Sequence, residues 1–177
     1  MAWWSINSTN LVATKFNDFY TKNPTSPTLY QKLVRTCKFF FEKNPILIME
    51  NLDACEDSTK YHISQNSHHE SKNNNYECCI EIDLNNFSSK LWITLDLHIQ
   101  ERIQNCIPTV VQKNFRFEIS RLAVYDNDII LNDLKVLVSS AKRVFLYRNS
   151  YKYKNVTIAM LDNILKLFPT NVKYFCL

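Results

Sequence analysis

The sequence predicts a mixed α/β fold, in which N-terminal helices and a polar loop precede strand–helix units that form a largely parallel sheet. Apolar residues recur at helical spacing over roughly the first quarter of the chain, and from residue 76 they alternate with polar residues. The last third then repeats one strand–helix frame. We therefore expect a helical segment at 1–52, a polar loop at 53–75 and a repeat-like interaction region at 76–177. The apolar residues at the end of the sequence further predict that the last unit is truncated.

The composition limits the functions that are open to the chain. It contains no glycine, so neither a Walker loop nor a glycine-rich dinucleotide fingerprint can be present. No apolar run approaches the roughly 20 residues that span a bilayer, and the start, MAWWSINSTNLVATKF, lacks the features of a signal peptide. The six cysteines are then interpreted as free thiols. These features predict a cytoplasmic or nuclear protein that does not enter membranes.

Two helices are predicted near the N-terminus. The first lies within the initial 24 residues, and the second begins at Ser26 and Pro27, a capping hydroxyl followed by proline at the first helical position. From there to Pro45 the apolar residues form one stripe. That stripe contains Leu29, Tyr30, Leu33, Val34, Cys37, Phe40 and Phe41. The pattern predicts one amphipathic helix with a wide buried face.

Phe39 falls at the edge of this stripe. It is therefore the phenylalanine of the "FFF" run that the sequence leaves free for a partner. Lys32 and Arg35 lie on the polar side of the same helical wheel. We take Phe39, Lys32 and Arg35 as a candidate partner surface.

The polar stretch at 53–75 is predicted to be a loop, with a short strand at "KYHIS". His68 and His69 within it lie ten residues before Cys78 and Cys79, which raises the possibility of a zinc site. Zinc ligands usually lie two to five residues apart, and adjacent cysteines in a strand point to opposite faces. We therefore expect no metal site.

Three strands are predicted after the loop. "YECCIEIDL" at 76–84 and "SSKLWITLDLHI" at 88–99 alternate apolar and polar residues, and "FRFEISRLAVYD" at 115–126 follows a connector around Pro108. The first of these strands carries Glu81 and Asp83 on one face, which we interpret as its solvated side. Because no catalytic constellation is recognisable, we expect neither an enzyme nor a cofactor.

The last third repeats a frame of arginine, three apolar residues, tyrosine, a polar residue and asparagine. Three pairs match at a period of 22 residues: Arg121 with Arg143, Tyr125 with Tyr147, and Asn127 with Asn149. "LNDLKVLVSSA" and "TIAMLDNILKLF" predict helices after these strands, and "VKYFCL" predicts a third strand at an interval nearer 29. Such units resemble an irregular leucine-rich-repeat horseshoe with a parallel sheet, and an ordinary βαβαβ fragment is the alternative.

The segment "KRVFLYRNSYKYK" at 142–154 alternates cations with tyrosines, as surfaces that bind single-stranded RNA do. Its candidate contact residues are Arg148, Tyr151, Lys152, Tyr153 and Lys154. The net charge of the chain is only +4, and the apolar residues 144–146 suit a core strand. RNA binding is therefore an alternative function rather than the main expectation.

Four segments carry a resemblance to the expanded nematode-type F-box proteins. "STNLVATKFNDFYTKN" is similar to the end of an F-box, and "SPTLYQKLVRTCKFFFEKNPILIMENL" looks like the segment that follows it. "FEISRLAVYDNDIILNDLKVLVSSAKRVFLYRNSYKYKN" and "LDNILKLFPTNVKYF" are similar to the start of the repeat-like substrate-binding part. The front of an F-box, a Leu-Pro with a following acidic residue, is missing upstream of Leu11, where "MAWWSI" stands.

The resemblance implies a partial substrate receptor of a cullin–RING ubiquitin ligase. In such proteins the F-box binds a Skp-type adaptor, while the C-terminal part recruits a protein substrate. No adaptor-contact residue is assigned, because the front of the F-box is the part that differs. The alternatives are the RNA-binding module described above and a truncated gene product without a function of its own.

Overall fold

The computed structural model describes residues 23–54, 60–64, 80–100 and 105–177, and the structural statements that follow concern these residues. The helix predicted at the N-terminus and the candidate zinc ligands (His68, His69, Cys78 and Cys79) lie outside them. The chain divides into two compact units, Met1–Ile46 and Leu47–Leu177. The helical segment was expected to end at residue 52, whereas the two units divide between Ile46 and Leu47, at the start of the strand Ile46–Ala54.

Within residues 23–46, the described part of the first unit, two short helices are present where one helix was predicted between Ser26 and Pro45. Helix α1 (Pro27–Thr36) begins as expected, since the Ser26 hydroxyl accepts a hydrogen bond from the Leu29 N–H at 3.3 Å and Pro27 occupies the first helical position. At Cys37 the backbone is extended (φ −150°, ψ 115°), which ends α1 before α2 (Lys38–Lys43) begins. The prediction of one continuous helix is wrong, because apolar spacing contains no signal for a single extended residue.

The break at Cys37 changes which side chains are buried. Cys37 is exposed, and Phe40 and Phe41 are half-buried rather than buried. Tyr30 is the buried side chain of α1, and its hydroxyl donates a hydrogen bond to the carbonyl of Asn44. This bond joins α1 to the residue that follows α2, so the two helices pack as a pair.

The second unit is built on an eight-stranded sheet with the order β10-β8-β6-β4-β1-β2-β3, in which β5 also pairs with β4. A separate two-stranded sheet pairs β7 with β9. The strands are β1 (Ile46–Ala54), β2 (Lys60–Ser64), β3 (Ile80–Asp83), β4 (Lys90–Ile99), β5 (Asn114–Phe117), β6 (Arg121–Tyr125), β7 (Asp128–Ile130), β8 (Arg143–Tyr147), β9 (Ser150–Lys152) and β10 (Tyr174–Cys176). The helices of the described part of the second unit are α3 (Cys106–Lys113), α4 (Leu131–Val138) and α5 (Leu161–Leu165).

Most of the sheet is parallel, as the strand–helix pattern predicts. Strands β4, β6, β8 and β10 pair in parallel. Strand β1 runs in the same direction as β4, because the Gln100 N–H donates to the Ala54 carbonyl at 2.9 Å and the Thr94 hydroxyl to the Met49 carbonyl at 3.2 Å. The antiparallel pairs β1–β2 and β2–β3 complete one edge. The prediction of a mixed α/β fold with strand–helix units is confirmed.

Several elements differ from the sequence prediction in detail. The "KYHIS" strand is β2, and Asp53 and Ala54, which were predicted to lie in the polar loop, belong to β1. The strand predicted at 115–126 is divided into β5 and β6, which lie one after the other along β4. The connector around Pro108 is helix α3, where proline is tolerated because the first turn of a helix has unpaired N–H groups.

The core lies between one face of the sheet and helices α3 and α4. Buried apolar side chains from both layers form one cluster. Its members include Leu97, Ile99, Leu122, Val124, Val144 and Leu146 from the strands, and Ile107, Val110, Leu131, Leu134 and Leu137 from the helices. Trp92, on the opposite face of β4, is also fully buried, with the Arg116 guanidinium 5.0 Å from its ring. No helix in the described part of the chain is long and apolar enough to cross a membrane.

The repeat seen in the sequence appears as strand register. Arg121 pairs directly with Arg143 and Tyr125 with Tyr147 in the β6–β8 ladder, while Asp128 pairs with Ser150 in the β7–β9 ladder. Each of these pairs spans the same interval of 22 residues. The next interval is longer than the predicted 29 residues, because Tyr174 pairs with Arg143, 31 residues earlier.

Candidate functional site

The strongest candidate site lies on the face of the parallel sheet opposite α3 and α4. In β8 the side chains of Val144 and Leu146 enter the core, so Arg143, Phe145 and Tyr147 project from the other face. Strand β6 alternates in the same way. We call this surface the outer face. It consists of Arg121, Tyr125, Arg143, Phe145, Tyr147, Arg148 and Tyr174.

One row of side chains runs from His98 on β4 into the outer face and crosses three strands near their carboxyl ends. The His98 ring meets the Tyr125 ring edge-on at 5.4 Å, and the Tyr125 ring lies 6.3 Å from that of Tyr147. The row ends at Arg148, whose guanidinium lies 4.9 Å from the centre of the Tyr147 ring. At its other end, His98 Nδ1 lies 3.2 Å from an Asp53 carboxylate oxygen. Exposure increases along the row, from the buried Asp53 to Tyr147, which is 47% exposed.

A second row lies nearer the amino ends of the strands. The Arg121 guanidinium lies 5.1 Å from the centre of the Phe145 ring, and that ring lies 5.3 Å from the ring of Tyr174. Tyr174 is 54% exposed. Ala123 is the residue directly opposite Phe145 in the ladder, and its small side chain leaves space over which the guanidinium can reach the ring. Aromatic rings and arginines are thus present near both ends of the outer face.

The outer face carries more positive than negative charge. Arg121 and Arg143 are direct partners across the β6–β8 ladder, an arrangement in which like charges repel. Within the described residues, the ion pairs involve neither of them, nor Arg148. Asp96 pairs with Arg121 in the β4–β6 ladder, but it is buried. The exposed part of the outer face is thus cationic and aromatic.

The residues predicted as a partner surface in the first unit are exposed but only partly brought together. Phe39 is 41% exposed on α2, and Lys32 and Arg35 are exposed on α1. The cation over the Phe39 ring is Lys43, at 5.5 Å, and Phe40 meets the ring edge-on at 6.2 Å. Lys43 lies four residues after Phe39 within α2, the spacing at which two side chains are neighbours on a helix surface, so the contacts of Phe39 are local to α2.

The residues predicted in the basic segment have separate environments. Tyr151 packs against the core and its burial raises the pKa of its hydroxyl, while Lys152 Nζ lies 2.8 Å from an Asp128 carboxylate oxygen. Tyr153 and Lys154 are exposed beyond β9. Of this predicted group, Arg148 alone belongs to the outer face.

The sequence contained a signal for the site residues that the prediction missed. Arg121, Tyr125, Arg143 and Tyr147 are the polar and aromatic positions of the 22-residue frame, and we interpreted them only as marks of a repeat. Their spacing of four residues within each strand places them on one face. The side of the sheet on which the helices pack was needed to show that this face is the outer one.

The tyrosine and arginine side chains of the outer face are chemically suited to the recognition of a partner molecule. Tyrosine and arginine are the side chains most often found at the energetic centre of protein interfaces. In the described part of the chain, no group of three or more His, Cys, Asp or Glu side chains could hold a metal ion. The Cys106 thiol lies beside the Tyr61 hydroxyl, and burial raises the pKa of this thiol to about 11, which disfavours the nucleophilic thiolate.

Comparison with known proteins adds no relative, since no family model, curated protein or solved structure matches this chain.

Proposed function

We propose that the chain is a non-enzymatic protein-interaction domain, a partial F-box-type substrate receptor that connects a bound protein to a cullin–RING ubiquitin ligase. The observation that carries the proposal is the outer face, where exposed tyrosines and arginines lie on paired strands. Tyr147 and Tyr174 are about half exposed, and each has an aromatic ring from the adjacent strand beside it. The proposed domain requires no cofactor.

The packing of the outer face supports a binding role. Paired strands fix the backbone, and ring contacts restrict the tyrosine side chains before any partner arrives. A surface ordered in advance loses less conformational entropy on binding than a mobile one. Of the segments similar to F-box proteins, "SPTLYQKLVRTCKFFFEKNPILIMENL" contains α1, α2 and the start of β1, and it crosses the boundary between the two units. The repeat-like segments lie within the second unit and contain its strand–helix units.

Single-stranded RNA is a weaker proposal for the partner. That function needs consecutive cations and aromatic rings that can all reach a nucleic acid. Lys152 is instead paired with Asp128, and Tyr151 packs against the core. The basic segment therefore offers an interrupted surface, whereas the arginines and tyrosines of the outer face lie on one side of the sheet.

Co-expression with a Skp-type adaptor tests the receptor proposal. The tagged full chain and the adaptor are purified through the tag and then separated by size exclusion. We expect the two proteins to elute together in equal amounts, and ubiquitin transfer to the complex after a cullin–RING module is added. Separate elution of the adaptor from a chain that circular dichroism shows to be folded would reject an F-box-type function.

A matched variant separates the two proposed binding activities. Arg143→Gln with Arg148→Gln removes charge from the outer face and leaves the N-terminal segment unchanged. We expect this variant to retain the adaptor, because the resemblance assigns adaptor binding to the F-box end. Loss of the adaptor in this variant would mean that the outer face binds the adaptor. It would contradict the proposal that the N-terminal segment binds the adaptor and the outer face binds the substrate.

A further inference from the structure

We infer that the outer face binds an extended acidic protein segment, in which carboxylates on both sides flank an apolar or aromatic residue. This inference rests on the proposed protein-binding function and names the chemistry of the partner. Its starting point is the direct pairing of Arg121 with Arg143 across β6 and β8. Neighbouring strands lie about 4.8 Å apart, so two cationic side chains begin at adjacent backbone positions.

In the described part of the chain, Arg121 has the buried carboxylate of Asp96 as its direct partner in the β4–β6 ladder. Arg143, which is exposed, has Arg121 and Tyr174 opposite it rather than a carboxylate. Neither arginine belongs to one of the ion pairs among the described residues, and Arg121 Nε is buried without a hydrogen-bond partner there. Like charges directly opposite each other in a sheet are destabilising. A carboxylate placed between the two guanidinium groups would reverse this repulsion and form charge-assisted hydrogen bonds, for which arginine has the best geometry.

The second cationic point lies at the other end of the face. Arg148 follows β8 with a positive φ of 55°, and its guanidinium lies over the Tyr147 ring. The five steps along the backbone from Arg143 to Arg148 span about 16 Å at roughly 3.3 Å per residue. An extended peptide covers that distance with about five residues, which sets the separation of its two acidic ends.

The centre of the face selects the residue between the acidic ends. Phe145 and Tyr147 project between the two cationic points, and the neighbouring rings of Tyr125 and Tyr174 widen the aromatic area. An apolar or aromatic side chain of the partner would bury its surface against these rings. A nucleic acid would also meet cations and rings, but its charge is spaced regularly along the backbone, whereas the cations here lie at two ends. The spacing therefore favours the peptide.

Fluorescence anisotropy with the full chain tests this inference. The probe is the labelled peptide Glu-Glu-Ser-Phe-Ser-Glu-Glu, and its matched control replaces every glutamate with glutamine. We expect the glutamate peptide to bind at least about tenfold more tightly than the glutamine peptide, with an affinity that falls as salt is added. Equal affinity for both peptides, or no binding at millimolar peptide, would overturn the inference. This comparison uses the unaltered protein and so does not depend on the folding of a variant.

Two double variants locate the bound peptide. Arg143→Gln with Arg148→Gln should weaken binding by at least about tenfold. Lys135→Gln with Lys166→Gln removes the same charge from exposed positions at α4 and α5, and should change affinity by less than about twofold. An equal loss in both variants would mean non-specific attraction and would overturn the inference.

An oligoribonucleotide distinguishes the partner class. We expect a twelve-nucleotide uridine oligomer to bind more weakly than the glutamate peptide. Tighter binding of the oligomer, lost in the variant of Arg143 and Arg148, would make the outer face a nucleic-acid surface and overturn the inference. Because no adaptor is present in these measurements, a failure here leaves the result of the adaptor co-elution unchanged, and the two proposals can fail separately.

Discussion

Asn127 and Asn149 connect two adjacent strand units through their side chains. The Asn127 N–H donates to Asn149 Oδ1 at 2.9 Å, and Asn149 Nδ2 donates to the Val124 carbonyl at 2.8 Å. Asn127 Nδ2 extends the series in the other direction, to the carbonyls of Gln100 at 3.0 Å and Tyr125 at 2.6 Å. Each asparagine thus satisfies backbone groups where the chain leaves the sheet, without the aid of a glycine turn.

Replacing Asn127 with alanine should lower the free energy of unfolding by about 1–3 kcal/mol. Asn127 is 7% exposed, and its loss leaves buried carbonyls without a donor, which costs that much per unsatisfied site. Urea unfolding monitored by circular dichroism measures the change. Asn132→Ala is the matched control, because Asn132 is exposed on α4 and should change stability by less than about 0.5 kcal/mol. A similar effect in both variants would contradict a role for the asparagine series.

Phe40→Ala should lower the free energy of unfolding by less than a substitution in the core beneath the sheet does. A fully buried phenylalanine would cost about 3–5 kcal/mol, but Phe40 is half-buried, so we expect about 1–2 kcal/mol. Leu134→Ala, at a fully buried position of α4, should cost about 2–5 kcal/mol. Urea titrations of both variants provide the comparison. A larger loss for Phe40→Ala than for Leu134→Ala would mean that the helix pair is packed more closely than its exposure indicates.

The sequence predicted those elements whose signal is local. Alternation predicted β4, and the Ser26–Pro27 signal predicted the start of α1. The predicted 22-residue period matches the β6–β8 register of the structure, because equal spacing in parallel strands places matching residues side by side. The break at Cys37 and the division between β5 and β6 were not predictable in this way, since each depends on packing with residues distant in sequence.

The candidate site could be predicted only in part. The frame identified Arg121, Tyr125, Arg143 and Tyr147 as repeated positions, and alternation placed them on one face. Neither observation shows which face the helices cover, because that depends on the hand of the connections between parallel strands. The basic segment failed as a single site for a related reason: Lys152 lies in β9, where its neighbour in space is Asp128 from β7.

Stability should fall as the pH rises from about 9 to about 11, in part through Cys106. Burial raises the pKa of this thiol from 9.0 to about 11, so the thiol of the unfolded chain ionises first and favours unfolding. Below the unfolded pKa both states are protonated and the effect vanishes. The decrease in the free energy of unfolding that we assign to Cys106 is roughly 2–3 kcal/mol. Urea unfolding at a series of pH values should show a shallower decline for Cys106→Ala, and equal slopes would contradict this assignment.

Apolar side chains around the start of α5 should promote self-association. Ile158 is 82% exposed, Met160 77% and Leu161 55%, and a contiguous apolar surface of this kind favours aggregation. Ile158→Ser with Met160→Ser should therefore raise the concentration at which light scattering detects association. Lys154→Ser with Lys166→Ser is a control at nearby exposed positions and should not raise that concentration. An unchanged onset in the first variant would show that this surface does not drive association.

Tyr147→Ala should separate binding from stability. Its ring is 47% exposed, and its contacts with Tyr125 and Arg148 lie on the surface, so its removal should cost less than about 1.5 kcal/mol in urea unfolding. The same ring lies between the two cationic points of the outer face, and its loss should weaken binding of the Glu-Glu-Ser-Phe-Ser-Glu-Glu peptide by about tenfold or more. Tyr153→Ala removes an exposed tyrosine from beyond β9 and should leave that affinity within about twofold, because Tyr153 is not part of the outer face. If Tyr147→Ala binds the peptide as tightly as the unaltered chain, the aromatic centre of the outer face does not contact the partner.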